Sequence, residues 1–167
     1  MATRNQNLSE AGSKQKVAAS GMRFGIVVAD WNSQVTDKLE EGAYQTLLKQ
    51  EVKEQDIIIR RVPGSIELTL GAQLMAEHLD LDAVICLGCV IQGETRHFDY
   101  VCDSVTQGIT QLNIQYQMPF IYGILTTENQ VQAMDRAGGK HGNKGDEAAM
   151  AAIQMARMKK DLRSQTP

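Results

Sequence analysis

The chain has 167 residues, of which 43% are hydrophobic and 22% are charged, as is usual for a soluble globular domain. A formal net charge of -3 disfavours nucleic acid as the main partner, and three cysteines are too few for a disulfide framework. No apolar run is long enough to span a membrane, and the first twenty residues lack the hydrophobic segment of a secretory signal, so we expect a cytoplasmic protein.

Strand-like and helix-like segments alternate along the chain after a polar N-terminal extension at residues 1–21. Apolar runs rich in β-branched residues predict four strands, at 23–29, 56–62, 82–88 and 119–125. Apolar residues at helical spacing predict helices at 35–48, 65–79, 99–117, 127–137 and 144–160. Ser65 is the predicted N-cap of the second helix, and Thr127 with Gln130 forms a predicted capping box for the fourth.

This alternation is typical of an α/β domain whose parallel sheet is covered on both faces. We expect a three-layer α/β/α sandwich of the flavodoxin-like type, with a central parallel four-stranded sheet. One domain accounts for residues 22–160, and a polar tail follows at 161–167.

In an open sheet of this kind, ligands bind beyond the carboxyl ends of the strands. The loops at those ends carry residues that a plain turn does not require. They are the segments 30–33 (DWNS), 63–67 (PGSIE) and 89–97 (CVIQGETRH), together with Tyr122 and the pair 126–127. An aromatic ring, a carboxylate, a polar loop around a glycine and a histidine therefore converge on one edge of the sheet.

Two of these residues have both a structural and a functional interpretation. Trp31 is either a loop aromatic folded onto the core or a face on which a planar heterocycle stacks. His97 is either structural or a proton-transfer group that works near neutral pH. By contrast, His78 and His141 lie in no such context, and we interpret both as surface residues.

Charged and thiol groups elsewhere also leave alternatives open. Arg136 and Lys144 flank a glycine-rich turn, which is either a solvated basic turn or a phosphate clamp. Cys86 and Cys89 form a C-x-x-C pair, but Cys86 lies inside a predicted strand and no second pair completes a zinc site. Neither a P-loop nor a G-x-G-x-x-G motif is present.

Five sequence blocks, in order and at family spacing, resemble the lumazine synthase family of riboflavin biosynthesis. They are WN after the first strand, VPGSIEL, LGCVIQGETRHFDYV, PFIYGILTTENQVQAMDRAG and GNKGDEAA, within 23–157. The resemblance implies a transferase that condenses 5-amino-6-ribitylaminouracil with 3,4-dihydroxy-2-butanone 4-phosphate. The product is 6,7-dimethyl-8-ribityllumazine, formed with release of phosphate and water in the penultimate step of the pathway. No cofactor and no metal is implied.

The resemblance also implies a role for each matching residue. His97 is the general acid/base. The pyrimidine and its ribityl chain are bound by Trp31, Asn32, Ser65, Ile66, Glu67, Cys89, Val90, Ile91 and Tyr122. The phosphate substrate is bound by Glu94, Thr95, Arg136 and Lys144.

Assembly is a further implication of the resemblance. Family members form homopentamers with active sites between subunits, and the compact turn GGKHGNKG permits a shell of sixty subunits. Riboflavin synthase is a candidate partner, and neither nucleic acid nor membrane is implied.

The sequence departs from the family pattern at three places. Trp31 stands where Phe is common, and its larger ring leads to the hypothesis that riboflavin or the product binds more tightly. Gln92 replaces a frequent arginine. The N-terminal extension lacks the short apolar segment that often adds a strand to a neighbouring subunit, and only KVAA at 16–19 fits that role.

Two other functional classes remain open from the sequence. One is a non-catalytic module that binds a flavin or lumazine through Trp31. The other is a thiol redox protein that uses Cys86 and Cys89.

Overall fold

A computed structural model of the chain describes residues 19–164. At its centre is a parallel sheet of four strands in the order β2-β1-β3-β4. The strands are β1 (Phe24–Ala29), β2 (Ile57–Val62), β3 (Ala83–Ile91) and β4 (Phe120–Thr127). The α-helices of the described residues are α1 (Ser33–Lys49), α2 (Leu68–His78), α3 (His97–Tyr116), α4 (Gln130–Asp135) and α5 (Lys144–Ser164), and a short 3₁₀ helix at Glu54–Asp56 precedes β2. A hairpin of β5 (Ala137–Gly139) and β6 (Gly142–Asn143) precedes α5.

Two hydrophobic layers, one on each face of the sheet, hold the helices against it. Alternate residues of β1 point to opposite faces, so that Ile26 and Val28 pack under α1 and α5 while Val27 packs under α2 and α3. β1 is buried along its whole length, as a strand covered on both faces must be. The predicted three-layer α/β/α sandwich with a central four-stranded parallel sheet is therefore confirmed.

The structure corrects several predicted boundaries. β3 continues past residue 88 to Ile91 because its last residues pair with Thr126 and Thr127 at the end of β4. Since β4 includes Thr127, this residue does not cap a helix. Asn129 is the N-cap of α4, and its side chain accepts a hydrogen bond from the amide of Gln132. The glycine-rich turn after α4 is a short antiparallel hairpin rather than a simple helix end.

The predicted cap of α2 is also wrong. The N-cap is Glu67, and no side chain makes a capping hydrogen bond there. Ser65 lies two residues earlier, where its carbonyl accepts a hydrogen bond from the amide of Leu68 and its side chain is buried. The segment from Pro63 to Glu67 is therefore a loop that precedes the helix, and its residues can line a site.

The hairpin and the start of α5 are fixed against α1 by close packing. A Cβ atom at Gly145 would lie 2.0 Å from the carbonyl oxygen of Leu39, so only glycine allows this approach. Beside it, the Asn143 amide donates to the carbonyl of Lys38 at 2.8 Å, and its oxygen accepts from the Gly145 amide at 2.8 Å. These contacts hold the end of the hairpin and the first turn of α5 in place.

The first four residues of the predicted tail, 161–164, belong to α5, and the N-terminal extension at 1–21 falls mostly outside the described residues. In particular, the candidate strand at 16–19 reaches the described part only at Ala19, which is buried and donates its amide to the carbonyl of Gln50.

Candidate functional site

The cavity at the carboxyl edge of the sheet lies where the strand order reverses, between β1 and β3. From this point the chain continues into α1 on one face and into α3 on the other, which leaves a crevice beyond the strand ends. The cavity has a volume of about 410 Å³. Its lining includes ten of the residues predicted for the site: Trp31, Asn32, Ser65, Ile66, Glu67, Cys89, Val90, Ile91, Thr95 and His97.

The turn after β1 presents Trp31 to this cavity. The indole is 72% exposed, so the interpretation in which it folds onto the core of its own chain is wrong. Its backbone amide donates to the carbonyl of Pro63 at 3.1 Å, and the preceding amide of Asp30 donates to the carbonyl of Val62 at 2.8 Å. These two bonds join the turn to the end of β2, so that the ring stands on a fixed backbone.

Asn32 links the same turn to β3. Its backbone is left-handed, with φ of 63° and ψ of 41°, a conformation that asparagine tolerates better than most residues. Its side-chain amide does not cap α1 but donates to the carbonyl of Cys89 at 2.9 Å. Asn32 therefore connects two walls of the cavity.

A cluster of ion pairs supports the turn from outside. The guanidinium of Arg61 on β2 donates to Asp30 at 2.6 Å, to Asp37 at 2.7 Å and to Glu40 at 2.6 Å. The hydrogen bond to Asp30 is the largest of several contacts that raise the pKa of Arg61. Burial raises the pKa of Glu40, against the lowering effect of Arg61. The cluster connects β2, the turn and α1 next to Trp31.

The loop between β2 and α2 forms a second wall. Ser65 is only 8% exposed and lies against the backbone of β3, where a Cβ atom at Gly88 would come within 2.9 Å of its hydroxyl oxygen. Glycine at this position therefore lets the loop approach the sheet closely. Ile66 and Glu67 follow on the exposed side of the loop, at the cavity.

His97 is the first residue of α3, at the end of the polar loop that follows β3. Its ring is exposed at the cavity, and its backbone amide donates to the hydroxyl of Thr95 at 3.4 Å. Gly93 lies in the open part of this loop, with no atom close to the place of a Cβ. The arrangement brings an imidazole to a cavity that also holds an aromatic face and the backbone at the end of β3.

The two thiols of the C-x-x-C pair point to opposite faces of the sheet, because they are three residues apart on one strand. Burial raises the pKa of Cys86 to about 12 and that of Cys89 to about 11. Two thiols in this arrangement cannot form a disulfide with each other, and neither is ionised near neutral pH. The redox interpretation is therefore wrong.

The predicted phosphate-binding cations lie around a second cavity of about 500 Å³. This cavity is bounded by the end of β4, by α4 and by the hairpin, and it shares no lining residue with the first. The Arg136 guanidinium donates to the carbonyl of His141 at 2.6 Å and to Glu147 at 2.8 Å, and the Lys144 ammonium donates to Glu147 at 3.0 Å. Its other polar lining residues are Thr126, Thr127, Gln132, Asp135 and Lys140.

Two predicted residues line neither cavity within one chain. Glu94 is exposed on the loop before His97. Tyr122 lies on the face of the sheet that α2 and α3 cover, beside Cys86 in the strand register, and burial raises its pKa.

The structure adds residues that the sequence did not single out. Phe98 and Val101 line the first cavity from the first turns of α3, and their place next to His97 was the available signal. His141, interpreted as a surface residue, is half-buried at the second cavity, where its carbonyl holds Arg136.

Among the residues from 19 to 164, no group of three or more His, Cys, Asp or Glu residues is arranged to hold a metal ion. None of the helices in this range is long and apolar enough to cross a membrane.

Comparisons with known proteins agree on one family. The sequence profile described as 6,7-dimethyl-8-ribityllumazine synthase matches residues 21–160. A protein of that name from Parabacteroides distasonis is 59% identical over 155 residues, which cover 93% of this chain and 97% of the relative. Proteins of the same name from Cytophaga hutchinsonii and Phocaeicola vulgatus are 54% and 51% identical, over 93% and 97% of this chain and 97% and 96% of their own lengths. This chain therefore belongs to the 6,7-dimethyl-8-ribityllumazine synthase family.

Proposed function

We propose that this chain is a transferase that condenses 5-amino-6-ribitylaminouracil with 3,4-dihydroxy-2-butanone 4-phosphate, and that the first cavity binds the pyrimidine. The observation that carries this proposal is the grouping of ten matching residues around one cavity at the switch point of the sheet. An exposed indole, backbone groups at the end of β3 and a histidine suit a planar heterocycle with amide edges.

Each side chain has a distinct part in the proposed reaction. Trp31 stacks on the pyrimidine ring, and the loop of Ser65, Ile66 and Glu67 holds the ring and the ribityl chain. Backbone groups of Cys89, Val90 and Ile91 face the edge of the uracil, while Asn32 supports Cys89 through its hydrogen bond. Because the amine and the ketone must meet in one orientation, most of the rate acceleration comes from positioning.

His97 is the proposed proton-transfer group. The 5-amino group attacks the ketone and forms an imine with loss of water, and phosphate is then eliminated. The nitrogen that carries the ribityl chain attacks the remaining carbonyl carbon and closes the ring with loss of a second water. These steps need a proton to be moved between nitrogen, carbon and oxygen atoms of the substrates. An exposed imidazole at the mouth of the cavity is suited to this role.

Phosphate is bound, in this proposal, by Arg136 and Lys144 together with Thr95 and Glu94 of the loop before α3. The first pair lines the second cavity and Thr95 lines the first, so the groups are split between separate cavities of one chain. We infer that an active site combines the first cavity of one subunit with the basic cavity of its neighbour. Tyr122 completes the pyrimidine pocket in the same assembly.

An apolar surface next to the first cavity supports this arrangement. Leu70 and Leu74 on α2 are 59% and 47% exposed, and they continue at helical spacing from Ile66, which is 43% exposed at the cavity. Apolar residues in such a row usually mark a contact between proteins. A second copy of the chain that covers this row would lie beside the pyrimidine pocket.

The family resemblance supports four further proposals. They are a homopentamer, a shell of sixty subunits, riboflavin synthase as a partner and a cytoplasmic location. Sedimentation velocity of the full chain distinguishes a pentamer from a shell.

The direct test of the activity is to mix both substrates with the purified protein and to follow the fluorescence of the lumazine. Product formation supports the transferase. Binding of the lumazine or of riboflavin without any turnover would support the non-catalytic module, which no structural observation favours.

A mixing experiment tests the shared site. The variants His97→Ala and Arg136→Ala are each impaired as pure assemblies. If the two residues act from neighbouring subunits, equal amounts dissociated and reassembled together recover about a quarter of the activity, because that fraction of interfaces carries both intact residues. If both act from the same subunit, no activity is recovered.

A further inference from the structure

Glu147 is placed behind the second cavity, with both carboxylate oxygens engaged by cations. One oxygen accepts from the Arg136 guanidinium at 2.8 Å and the other from the Lys144 ammonium at 3.0 Å. The side chain is only 6% exposed, against 15% for Arg136 and 22% for Lys144. A carboxylate this buried needs such partners, since desolvation of an unpaired charge is costly.

We propose that Glu147 sets the net charge of the phosphate pocket, so that the pocket binds the phosphate ester yet releases inorganic phosphate. The proposal rests on the proposed function, in which Arg136 and Lys144 hold the phosphate group. Arg136, Lys144 and Glu147 together carry one net positive charge, whereas the two cations alone would carry two. Lys140 and Asp135, which also line the cavity, are of opposite charge and offset each other. Because phosphate is close to a dianion near neutral pH, its affinity in a half-buried pocket depends steeply on that net charge.

The geometry indicates that Glu147 affects charge more than position. Arg136 is also held through its bond to the carbonyl of His141 at 2.6 Å. The backbone amide of Lys144 donates to the carbonyl of Arg136 at 2.9 Å, and the hairpin between them is anchored to α1. Each cation carries more N–H donors than these bonds use, so donors remain for a ligand.

Release of phosphate gives this charge a functional consequence. The proposed reaction converts a phosphate ester into free phosphate at the same site. A pocket with two unopposed cations would bind the ester well but retain the product. A carboxylate behind both cations weakens the binding of each anion and shortens the time that the product stays bound.

The first test compares the wild-type protein with Glu147→Gln, which keeps the shape of the side chain and removes its charge. We expect inhibition by inorganic phosphate to become about fivefold to tenfold tighter. The kcat value should fall because phosphate leaves more slowly, while kcat/KM for the pyrimidine stays the same. Asp161→Asn, which removes an exposed carboxylate from the same helix, is the matched control and should change none of these values.

The second test restores the net charge by another route. Lys144→Gln alone leaves Arg136 opposed by Glu147, and phosphate inhibition should weaken about tenfold. The double variant Lys144→Gln with Glu147→Gln again carries one net positive charge from Arg136. Its inhibition constant for inorganic phosphate should lie within about threefold of the wild-type value. A purely structural role of Glu147 would instead make the double variant worse than the single one.

Two results would overturn the proposal: unchanged or weaker phosphate inhibition in a folded Glu147→Gln protein, or no recovery in the double variant. If Glu147→Gln does not fold, phosphate inhibition of Lys144→Gln can still be compared with that of the double variant. These two proteins differ only in the charge at position 147, so the comparison still tests the proposal. A wild-type protein that binds phosphate but makes no lumazine would overturn the proposed function alone. The dependence of phosphate affinity on the charge at position 147 can then be measured by phosphorus NMR of bound phosphate.

Discussion

The side-chain amide of Asn32 donates a hydrogen bond of 2.9 Å to the carbonyl of Cys89, across the crevice between the first and third strands. The bond joins two residues that are 57 positions apart in the sequence. It fixes the turn that presents Trp31 relative to the strand end whose backbone faces the proposed pyrimidine site. The bond therefore couples the two walls of the cavity.

Two variants of Asn32 separate the contribution of its side-chain amide from that of its left-handed backbone. Asn32→Gly keeps the left-handed backbone but removes the amide, so we expect the KM for the pyrimidine to rise about fivefold with little loss of stability. Asn32→Ala also strains the backbone, and the free energy of unfolding should fall by about 1 kcal/mol more. Denaturant unfolding and steady-state kinetics measure the two effects. Equal KM values for the wild type and Asn32→Gly would remove the positioning role.

The predicted effect of His97→Ala is a lower turnover that is not abolished. We expect kcat to fall about a hundredfold, because one proton-transfer group is lost while the positioning of both substrates remains. His78→Ala, at an exposed position on α2, is the control. Wild-type kinetics in His97→Ala would exclude this residue from the mechanism.

The sequence was sufficient for the sheet, its covering helices and the edge at which the site lies, because each depends on local hydrophobic patterning. It was not sufficient for features made by distant residues. The extension of β3 to Ile91 depends on pairing with Thr127, which no local pattern reveals. Likewise, nothing in the spacing of Arg136 and Glu147 shows that the hairpin folds them into contact.

Thiol reactivity tests the exclusion of a redox role. Burial raises the pKa of Cys86 to about 12 and that of Cys89 to about 11, so both thiols are protonated at pH 8. In a Cys102→Ser background, which removes the half-buried thiol of α3, the native protein should react very slowly with a thiol reagent. The same protein unfolded in denaturant should react fully. Rapid formation of a Cys86–Cys89 disulfide in the native state would contradict the structure.

Arg136→Ala should affect the phosphate substrate selectively. We expect its KM to rise at least about tenfold, with little change in the KM for the pyrimidine, since the two cavities are separate. The variant also leaves Glu147 paired with Lys144 alone, which should lower the free energy of unfolding by about 1–3 kcal/mol. Arg157→Ala, at an exposed position on α5, is the control. An unchanged KM and kcat for the phosphate substrate would exclude the clamp.

The indole of Trp31 should bind riboflavin by stacking, and its fluorescence should report that binding. It is the only tryptophan of the chain and is 72% exposed at the first cavity, so riboflavin stacked on it should quench the intrinsic fluorescence. Trp31→Phe offers a smaller ring and should bind riboflavin about fivefold more weakly, measured through the flavin's own fluorescence, because stacking strength follows the shared ring area. Trp31→Ala should bind it more weakly still. If riboflavin quenches nothing in the wild type, or if the phenylalanine variant binds it equally well, the larger ring has no part in flavin affinity.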